Sequence, residues 1–208
     1  MMAVEITKPH LLIVEGKEDE LFFEALMKRQ SLQDIQIMAI GGKVKLRENL
    51  KALVLSPSFA KVISLAVVRD ANADPDAAFQ SVRDALRAAH LPVPEDPLVP
   101  IGHNPRVSIM ILPREGTPGM LEDLCLEAVA SDPAMLCVEQ YLQCLEHRGL
   151  SLTRNRSKAK MQAFLASRLE AGKRLGEAAQ ANYWPWGAAA FDQVKNFLQQ
   201  FAFAGNSA

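Results

Sequence analysis

The chain has 208 residues, with 23 basic and 24 acidic side chains, a formal net charge of −1 and 49% hydrophobic residues. This length is enough for one sizeable hydrophobic core. The balanced charge and average apolar content exclude a wholly disordered chain and a tail-driven polyanion binder. No apolar run approaches the roughly 18 residues that a membrane helix needs, so no membrane partner is expected.

The N-terminal segment and the cysteines favour a cytoplasmic location. Residues 1–15 carry acidic side chains and have no small-residue cleavage pattern, so they do not resemble a signal peptide. Cys125, Cys137 and Cys144 are odd in number and form no CxxC pair. We expect them to be small core residues of a protein in a reducing compartment.

Short apolar runs alternate with segments of helical periodicity over the first half of the chain, which favours an α/β fold with a parallel sheet. Strands are predicted at His10–Glu15, Ile35–Ile40, Val62–Arg69 and Val107–Leu112. The helices between them are predicted at Asp19–Lys28, Val44–Leu55 and Ala77–Ala89, the last opened by Pro75. The proline-rich stretch Leu91–Pro105 is expected to be an exposed loop.

Helical sequence follows the fourth strand, at Leu121–Ala130, Ala134–His147, Lys158–Ala171 and Ala188–Phe203. We therefore expect a Rossmann-like sheet of about four parallel strands, flanked by helices and followed by a helical extension. Residues 8–130 would form the α/β core, and residues 131–208 would pack on it within one globular unit. The aromatic turn Tyr183–Trp186 is interpreted as packing between helices rather than as a platform for base stacking.

Acidic side chains follow three of the four predicted strands. Glu15 ends the first strand, Asp70 follows the third and Glu122 lies beyond the fourth. Because ligands of open parallel sheets gather at the carboxyl ends of the strands, these carboxylates are expected at one edge. Carboxylates placed together repel each other unless a cation neutralises them, and hard oxygen ligands suit Mg²⁺ or Mn²⁺. The sequence thus predicts a divalent metal site.

A single acidic residue in such a loop more often caps a helix than binds a metal. Asp74, directly before Pro75, is the strongest example. Glu15 has no obvious capping role, because it ends an apolar strand immediately before Gly16. Other catalytic motifs are missing from the sequence: there is no phosphate-binding P-loop, no GxGxxG after the first strand, no zinc-ligand spacing and no GxSxG elbow.

A basic run lies between the second and third predicted helices of the C-terminal part. Five basic residues occur within thirteen residues that contain no acid: Arg148, Arg154, Arg156, Lys158 and Lys160. Such a run can bind a nucleic-acid backbone without reading base sequence, although a solvated helix face is the simpler alternative. Ser157 is expected to cap the helix, which would place Lys158 and Lys160 in its first turn, where an anion could bind.

Two sequence segments resemble the toprim domain, which topoisomerases, bacterial primases, small ribonucleases and OLD-type nucleases share. They are residues 12–19 (LIVEGKED) and the acidic run Asp70-x-Asn72-x-Asp74. Residues 118–124 (PGMLEDL) and 157–161 (SKAKM) are most similar to OLD-type or small stand-alone toprim proteins. The resemblance covers roughly residues 10–200.

The resemblance implies a role for each matching residue. Glu15 and Asp19 would be metal ligands or the general base, Asp70 the principal metal ligand and Glu122 a further ligand. Asn72 and Asp74 complete the implied metal set, and Lys158 or Lys160 would stabilise charge in the transition state. Asn72 stands where the family has the second Asp of an Asp-x-Asp pair, so one negative charge is missing and weaker metal affinity is expected.

The expected function is Mg²⁺- or Mn²⁺-dependent phosphoryl transfer on nucleic acid, most simply a nuclease of OLD-like toprim type that acts on a DNA or RNA backbone. The alternative is a catalytically degenerate toprim domain that serves as a binding module. OLD-type toprim domains are usually fused to or partnered with ATPases, so the resemblance implies an ATPase as the partner of such a module. A receiver-like phosphoacceptor domain fits less well, because the lysines lie on late helices.

Overall fold

A four-stranded, all-parallel sheet forms the centre of the computed structural model, which describes residues 5–42, 45–150 and 155–203. Its strands are β1 (His10–Val14), β2 (Ile35–Ala39), β3 (Ser64–Asp70) and β4 (Arg106–Leu112), in the order β2-β1-β3-β4. The predicted α/β fold with a parallel sheet is confirmed. Each predicted strand agrees with the observed one to within two residues at either end.

The register of the sheet defines its two edges. His10 of β1 pairs with Ser64 of β3, and Ser64 pairs with Arg106 of β4, so these three residues lie in one row at the amino-terminal edge. At the opposite edge Asp70 pairs with Leu112. The residues that follow β1 and β3 therefore emerge on the same side of the molecule.

Eight α-helices surround the sheet in the described residues. They are α1 (Lys17–Arg29), α2 (Leu46–Val54), α3 (Pro75–Ala88), α4 (Leu121–Ala128), α5 (Pro133–His147), α6 (Arg156–Ala166), α7 (Leu175–Gln180) and α8 (Asp192–Phe203). Two helices begin with proline after an aspartate whose carboxylate accepts a backbone N–H: Asp74 caps α3 and Asp132 caps α5.

Strands β1, β3 and β4 are buried on both faces, and their side chains alternate between two hydrophobic clusters. Leu12 and Val14 of β1 face a cluster that contains residues of α1 and α4–α8, whereas Leu11 and Ile13 face a cluster formed with α2 and α3. The helices after residue 131 thus share one core with the sheet and α1. The division of the chain at residue 130 stays a prediction.

The largest differences from the predicted elements occur after residue 155. Helix α6 ends at Ala166 rather than Ala171, and Ser167 Oγ donates a hydrogen bond to the carbonyl of Phe164 at 2.7 Å. Leu169, which continued the apolar spacing in the sequence, is 99% exposed. The six-residue helix α7 was not predicted, because it is too short for a periodic pattern. The predicted helix Ala188–Phe203 opens as a 3-10 turn and becomes α8 at Asp192.

The aromatic turn Tyr183–Trp186 packs between helices, as predicted. Trp184 is 2% exposed and stacks on Phe164, while Trp186 packs against Phe22 and Phe191. The prediction of inter-helix packing is confirmed.

The expectation that all three cysteines are core residues is wrong: Cys125 is buried, but Cys137 and Cys144 are exposed on the outer face of α5. None of the helices in the described ranges has the length and apolar character of a membrane span.

Candidate functional site

A cleft opens at the carboxyl ends of β1 and β3, beside the first turns of α1 and α4. Five acidic side chains line it, together with Lys17, Lys158 and the Gly41–Gly42 turn: Glu15, Glu18, Asp19, Asp70 and Glu122. We call these five residues and their surroundings the acidic cleft. Its volume is about 320 Å³. The cleft lies at the edge of the sheet where ligands of parallel α/β proteins bind.

The junction of β1 and α1 positions two of the acids. Asp19 reaches back to the start of α1, and its Oδ2 accepts the backbone N–H of Gly16 at 3.0 Å. Glu15 precedes this turn, and its Oε1 lies 3.5 Å from Nε of Arg69. This ion pair has no hydrogen-bond geometry, so the buried Oε1 has no hydrogen-bond donor among the described residues. Arg69 itself is held by Ser81, whose Oγ accepts from Nη1 at 2.7 Å.

The junction before α4 repeats the same arrangement. Asp123, in the third position of α4, accepts the backbone N–H of Met120 at 2.8 Å, as Asp19 does for Gly16. Its other oxygen accepts from Ser157 Oγ at 2.5 Å, which ties α6 to α4. Asp70, at the end of β3, is linked to the start of α4, because its Oδ1 accepts the N–H of Leu121 at 3.0 Å. The helix therefore presents Glu122 toward the carboxylate of Asp70.

The crowding of carboxylates changes their protonation. Burial raises the pKa of Asp70 to about 8, with further contributions from Asp19, Glu15 and Glu122, against the opposing effect of the Leu121 N–H. Burial likewise raises the pKa of Asp19 to about 6, although the hydrogen bond from Gly16 opposes it. Both groups favour the neutral form because their charged forms lose water and meet like charges. A cation in the cleft would reverse this preference.

One lysine of the predicted basic run reaches the acidic cleft. Nζ of Lys158, in the first turn of α6, lies 3.6 Å from Oε1 of Glu122. The lysine side chain is 57% exposed, whereas that of Glu122 is 17% exposed. Helix α6 is capped by Asn155, whose Oδ1 accepts the N–H of Lys158 at 2.9 Å, and not by Ser157 as predicted. The prediction of the cap was wrong because Ser157 binds Asp123 instead.

Two of the predicted metal ligands lie outside the cleft lining. The side-chain amide of Asn72 donates to the carbonyl of Asp70 at 3.3 Å, and its backbone forms an antiparallel bridge with Gly119. Its φ of 55° is a conformation that asparagine tolerates better than most residues. Asp74 accepts the N–H of Ala77 at 2.9 Å and caps α3. Each therefore has a local backbone role that accounts for its residue type.

The rest of the predicted basic run does not converge on the cleft. Lys160 pairs with Glu139, and Arg156 pairs with Glu146, so both basic residues face α5. Arg148 follows the last turn of α5 as its exposed C-cap. Arg154 lies outside the described residues. Helical spacing relative to Met161 and Leu165 favoured Lys158 over Lys160 for the site, and the two lysines indeed have partners on different helices.

Two basic residues near the cleft were missed. A pocket of about 440 Å³ adjoins the acidic cleft, shares Glu18, Glu122 and Lys158 with it, and is also lined by Lys173 and Arg174. Nothing in the sequence pointed to them, since they follow a loop after a helix end that was predicted too late. Arg69 was missed as well, although an arginine at the end of the apolar run VISLAVV was an available signal.

The chemistry of the acidic cleft fits a divalent cation. Its donors are hard carboxylate oxygens, one of which, Oε1 of Glu15, is buried without a hydrogen-bond donor in the described chain. In the described part, no three His, Cys, Asp or Glu side chains are grouped closely enough to hold an ion as they stand. Mg²⁺ commonly takes one or two protein carboxylates and keeps several waters. The carboxylates Glu15, Asp19, Asp70 and Glu122 could supply such ligands.

Comparison with known proteins gives a family and a shared fold. A family model described as "Protein of unknown function (DUF3226)" matches residues 9–203. The hypothetical protein PH0156 from Pyrococcus horikoshii OT3 is similar in structure, with a TM-score of 0.61, 18% identity and 96% coverage of both chains. The C-terminal region of the OLD protein of Xanthomonas campestris pv. campestris is similar with a TM-score of 0.51, 13% identity, and coverage of 98% of this chain and 100% of that one. No curated protein sequence matches the chain.

Proposed function

The chain belongs to the DUF3226 family, and we propose that it is a divalent-metal-dependent nuclease of OLD-like toprim type. One observation carries the proposal: the carboxylates of Glu15 next to the end of β1, Asp70 at the end of β3 and Glu122 in the first turn of α4 line a single cleft with a lysine at its rim. The electrostatic cost of this grouping supports a site built for a cation rather than a set of independent helix caps. The fold shared with the OLD protein region is consistent with it.

Mg²⁺ or Mn²⁺ would be held by Glu15, Asp19, Asp70 and Glu122. When bound, such an ion neutralises the carboxylates, polarises a phosphate oxygen and lowers the pKa of a coordinated water. Asp19 and Asp70 each use one carboxylate oxygen to accept a backbone N–H at a helix N-terminus. Arg69 pairs with Glu15. These contacts orient the proposed metal ligands before an ion binds. Arg69 is thus proposed as a positioning residue for Glu15.

Lys158 is proposed to contact a phosphate oxygen of the substrate. Its side chain is mostly exposed and its pairing with Glu122 is long, at 3.6 Å, so it can turn to an anion at little cost. Arg174 and Lys173, the latter paired with Glu170, line the adjoining pocket and extend the basic lining beyond Lys158. Together these three cations would hold the nucleic-acid backbone without reading base sequence. Lys160, Arg156 and Arg148 are assigned no part in this contact.

A second candidate function is a non-catalytic toprim domain that binds nucleic acid or an ATPase partner. Two observations favour it. Asn72 replaces an acid of the toprim pattern, and the carboxylates of the described residues are not grouped as a finished metal site. Such a module would still use the Lys158 surface, but its binding would not need a metal ion.

The test is a cleavage assay on single- and double-stranded DNA and RNA with Mg²⁺, Mn²⁺ or a chelator. We expect cleavage with metal only, and a loss of at least about 100-fold in Glu15→Gln and Asp70→Asn, as for the removal of a group that stabilises transition-state charge. Asp84→Asn, an exposed acid on α3, is the matched control. Binding without cleavage under every metal condition would replace the nuclease with the non-catalytic module.

A further inference from the structure

A second cavity lies at the amino-terminal edge of the sheet, opposite the acidic cleft. It occupies about 290 Å³ between β3, β4 and the last turns of α8. Ser64, Arg106 and Ser108 form its floor, and Phe197, Gln200 and Phe201 form its wall. Ser64 and Asp70 are six residues apart on one strand, which separates the two sites by about 20 Å. A ligand in this cavity would therefore not contact the residues of the acidic cleft.

The floor of this cavity holds polar groups where a buried strand normally carries apolar ones. Ser64 is 1% exposed, and its Oγ has no hydrogen-bond partner among the described residues. Its neighbour in the register, His10, is 6% exposed and likewise has an unpartnered Nδ1, with its ring edge-on to Phe201. Ser108 is 5% exposed. Buried polar atoms without partners cost free energy, so the unpartnered Oγ of Ser64 in the cavity floor points to a polar occupant.

The positive charge of Arg106 indicates that the occupant is an anion. This half-buried residue pairs in register with Ser64 and lines the cavity, and within the described part of the chain its guanidinium forms no ion pair or hydrogen bond. A guanidinium is a planar fork of donors that matches a carboxylate with two parallel hydrogen bonds. The hydroxyl of Ser64 lies in the same row and can donate to the same anion.

The remaining walls identify the body of the ligand. Phe197 and Phe201 come from α8, and Leu98 and Pro100 come from the loop before β4. Small-molecule sites combine an apolar lining with a few polar groups that fix orientation. We propose that this cavity binds a small organic monocarboxylate with an aromatic or compact apolar body, its carboxylate on Arg106 and Ser64 and its body against the phenyl rings.

The test uses benzoate as the probe, titrated calorimetrically into the full chain in a buffer free of carboxylates. We expect one binding site, and no measurable heat from acetate or benzyl alcohol, which each lack one half of the proposed ligand. Arg106→Gln should weaken binding by at least about tenfold, because it removes a charge-assisted pair. Ser64→Ala should weaken binding less and leave thermal stability unchanged or higher, since it removes an unsatisfied hydroxyl. Arg47→Gln, an exposed arginine on α2, is the control.

Three results would overturn the proposal. They are the absence of benzoate binding to the full chain, equal affinity in Arg106→Gln and Arg47→Gln, and equal affinity for benzoate and benzyl alcohol.

Discussion

Oδ1 of Asp70 accepts the backbone N–H of Leu121 at 3.0 Å, across 51 positions of sequence. This contact joins the end of β3 to the first turn of α4, and it places Glu122 beside the carboxylate that it crowds. The partial positive charge of the helix N-terminus stabilises the anion of Asp70, yet burial outweighs it and keeps the pKa near 8. Asp70 thus connects two elements of the acidic cleft, although burial and the neighbouring carboxylates disfavour its charged form.

The raised pKa of Asp70 predicts that the stability of the protein depends on pH in metal-free buffer. The pKa of Asp70 is about 8 in the folded protein and about 3.8 in the unfolded chain, so the folded state binds more protons between these values. The free energy of unfolding therefore falls as the pH rises from 4 to 8. Asp70→Asn removes the titration while keeping the acceptor for Leu121, so its thermal midpoint should exceed that of the wild type at pH 8 and approach it at pH 4.

The measurement is thermal unfolding from pH 4 to pH 8 in the presence of a chelator. For a chain of this size each kcal/mol shifts the midpoint by about 2–4 °C, so a difference of several degrees at pH 8 is expected. Asp84→Asn, which changes an exposed acid, should follow the wild type at every pH. If the thermal midpoints of Asp70→Asn and the wild type changed in parallel with pH, the pKa of Asp70 would not be raised in the folded state.

The ion pairs of α6 predict that two neighbouring lysines behave differently. Lys158→Ala should weaken binding to nucleic acid and lower the slope of the salt dependence by about one, as expected for the loss of one phosphate contact. Lys160→Ala should leave nucleic-acid affinity near that of Lys61→Ala, an exposed lysine remote from the cleft, because Lys160 is paired with Glu139. Fluorescence anisotropy over a series of salt concentrations measures both quantities. Equal losses in all three variants would remove Lys158 from the site.

The backbone of Asn72 predicts which substitutions this position accepts. Its φ of 55° is left-handed, so Asn72→Gly should be nearly neutral, whereas Asn72→Val should lose about 1–2 kcal/mol of stability. Chemical denaturation measures both. Because its amide faces the carbonyl of Asp70 and not the cleft, Asn72→Asp should leave the affinity for Mn²⁺ unchanged. Tighter Mn²⁺ binding by calorimetry would instead place this side chain among the metal ligands.

The contact between α7 and α1 predicts a strict requirement for glycine at position 176. The N–H of Gly176 donates to Oε2 of Glu18 at 2.8 Å, and a Cβ added there would lie 2.7 Å from the carbonyl oxygen of Glu18. Gly176→Ala should therefore push α7 off α1 and lower stability by about 1–3 kcal/mol. Gly172→Ala is the matched control, since nothing lies within 4 Å of its added Cβ. Similar thermal midpoints for the two variants would contradict this packing.

The strands of the sheet, and the edge of it that carries acids, could be predicted from sequence alone. The strands are mainly apolar runs, and Glu15, Asp70 and Glu122 lie at or beyond the ends of three of them, so the local pattern and the rule for parallel sheets were sufficient. The departure at Asn72 was also visible, but its left-handed backbone and its bridge to Gly119 were not.

Long-range contacts set which charges meet. Spacing favoured Lys158 over Lys160 for the site but did not supply their partners, which are Glu122 on α4 and Glu139 on α5. Ser157 was a good cap by composition, but Asp123 takes its hydroxyl and leaves the cap to Asn155. The polar residues Ser64, Arg106 and Ser108 form a cavity floor through strand register and the position of α8. Each of these outcomes depends on contacts between residues far apart in sequence, whereas periodicity and capping preferences report on near neighbours alone.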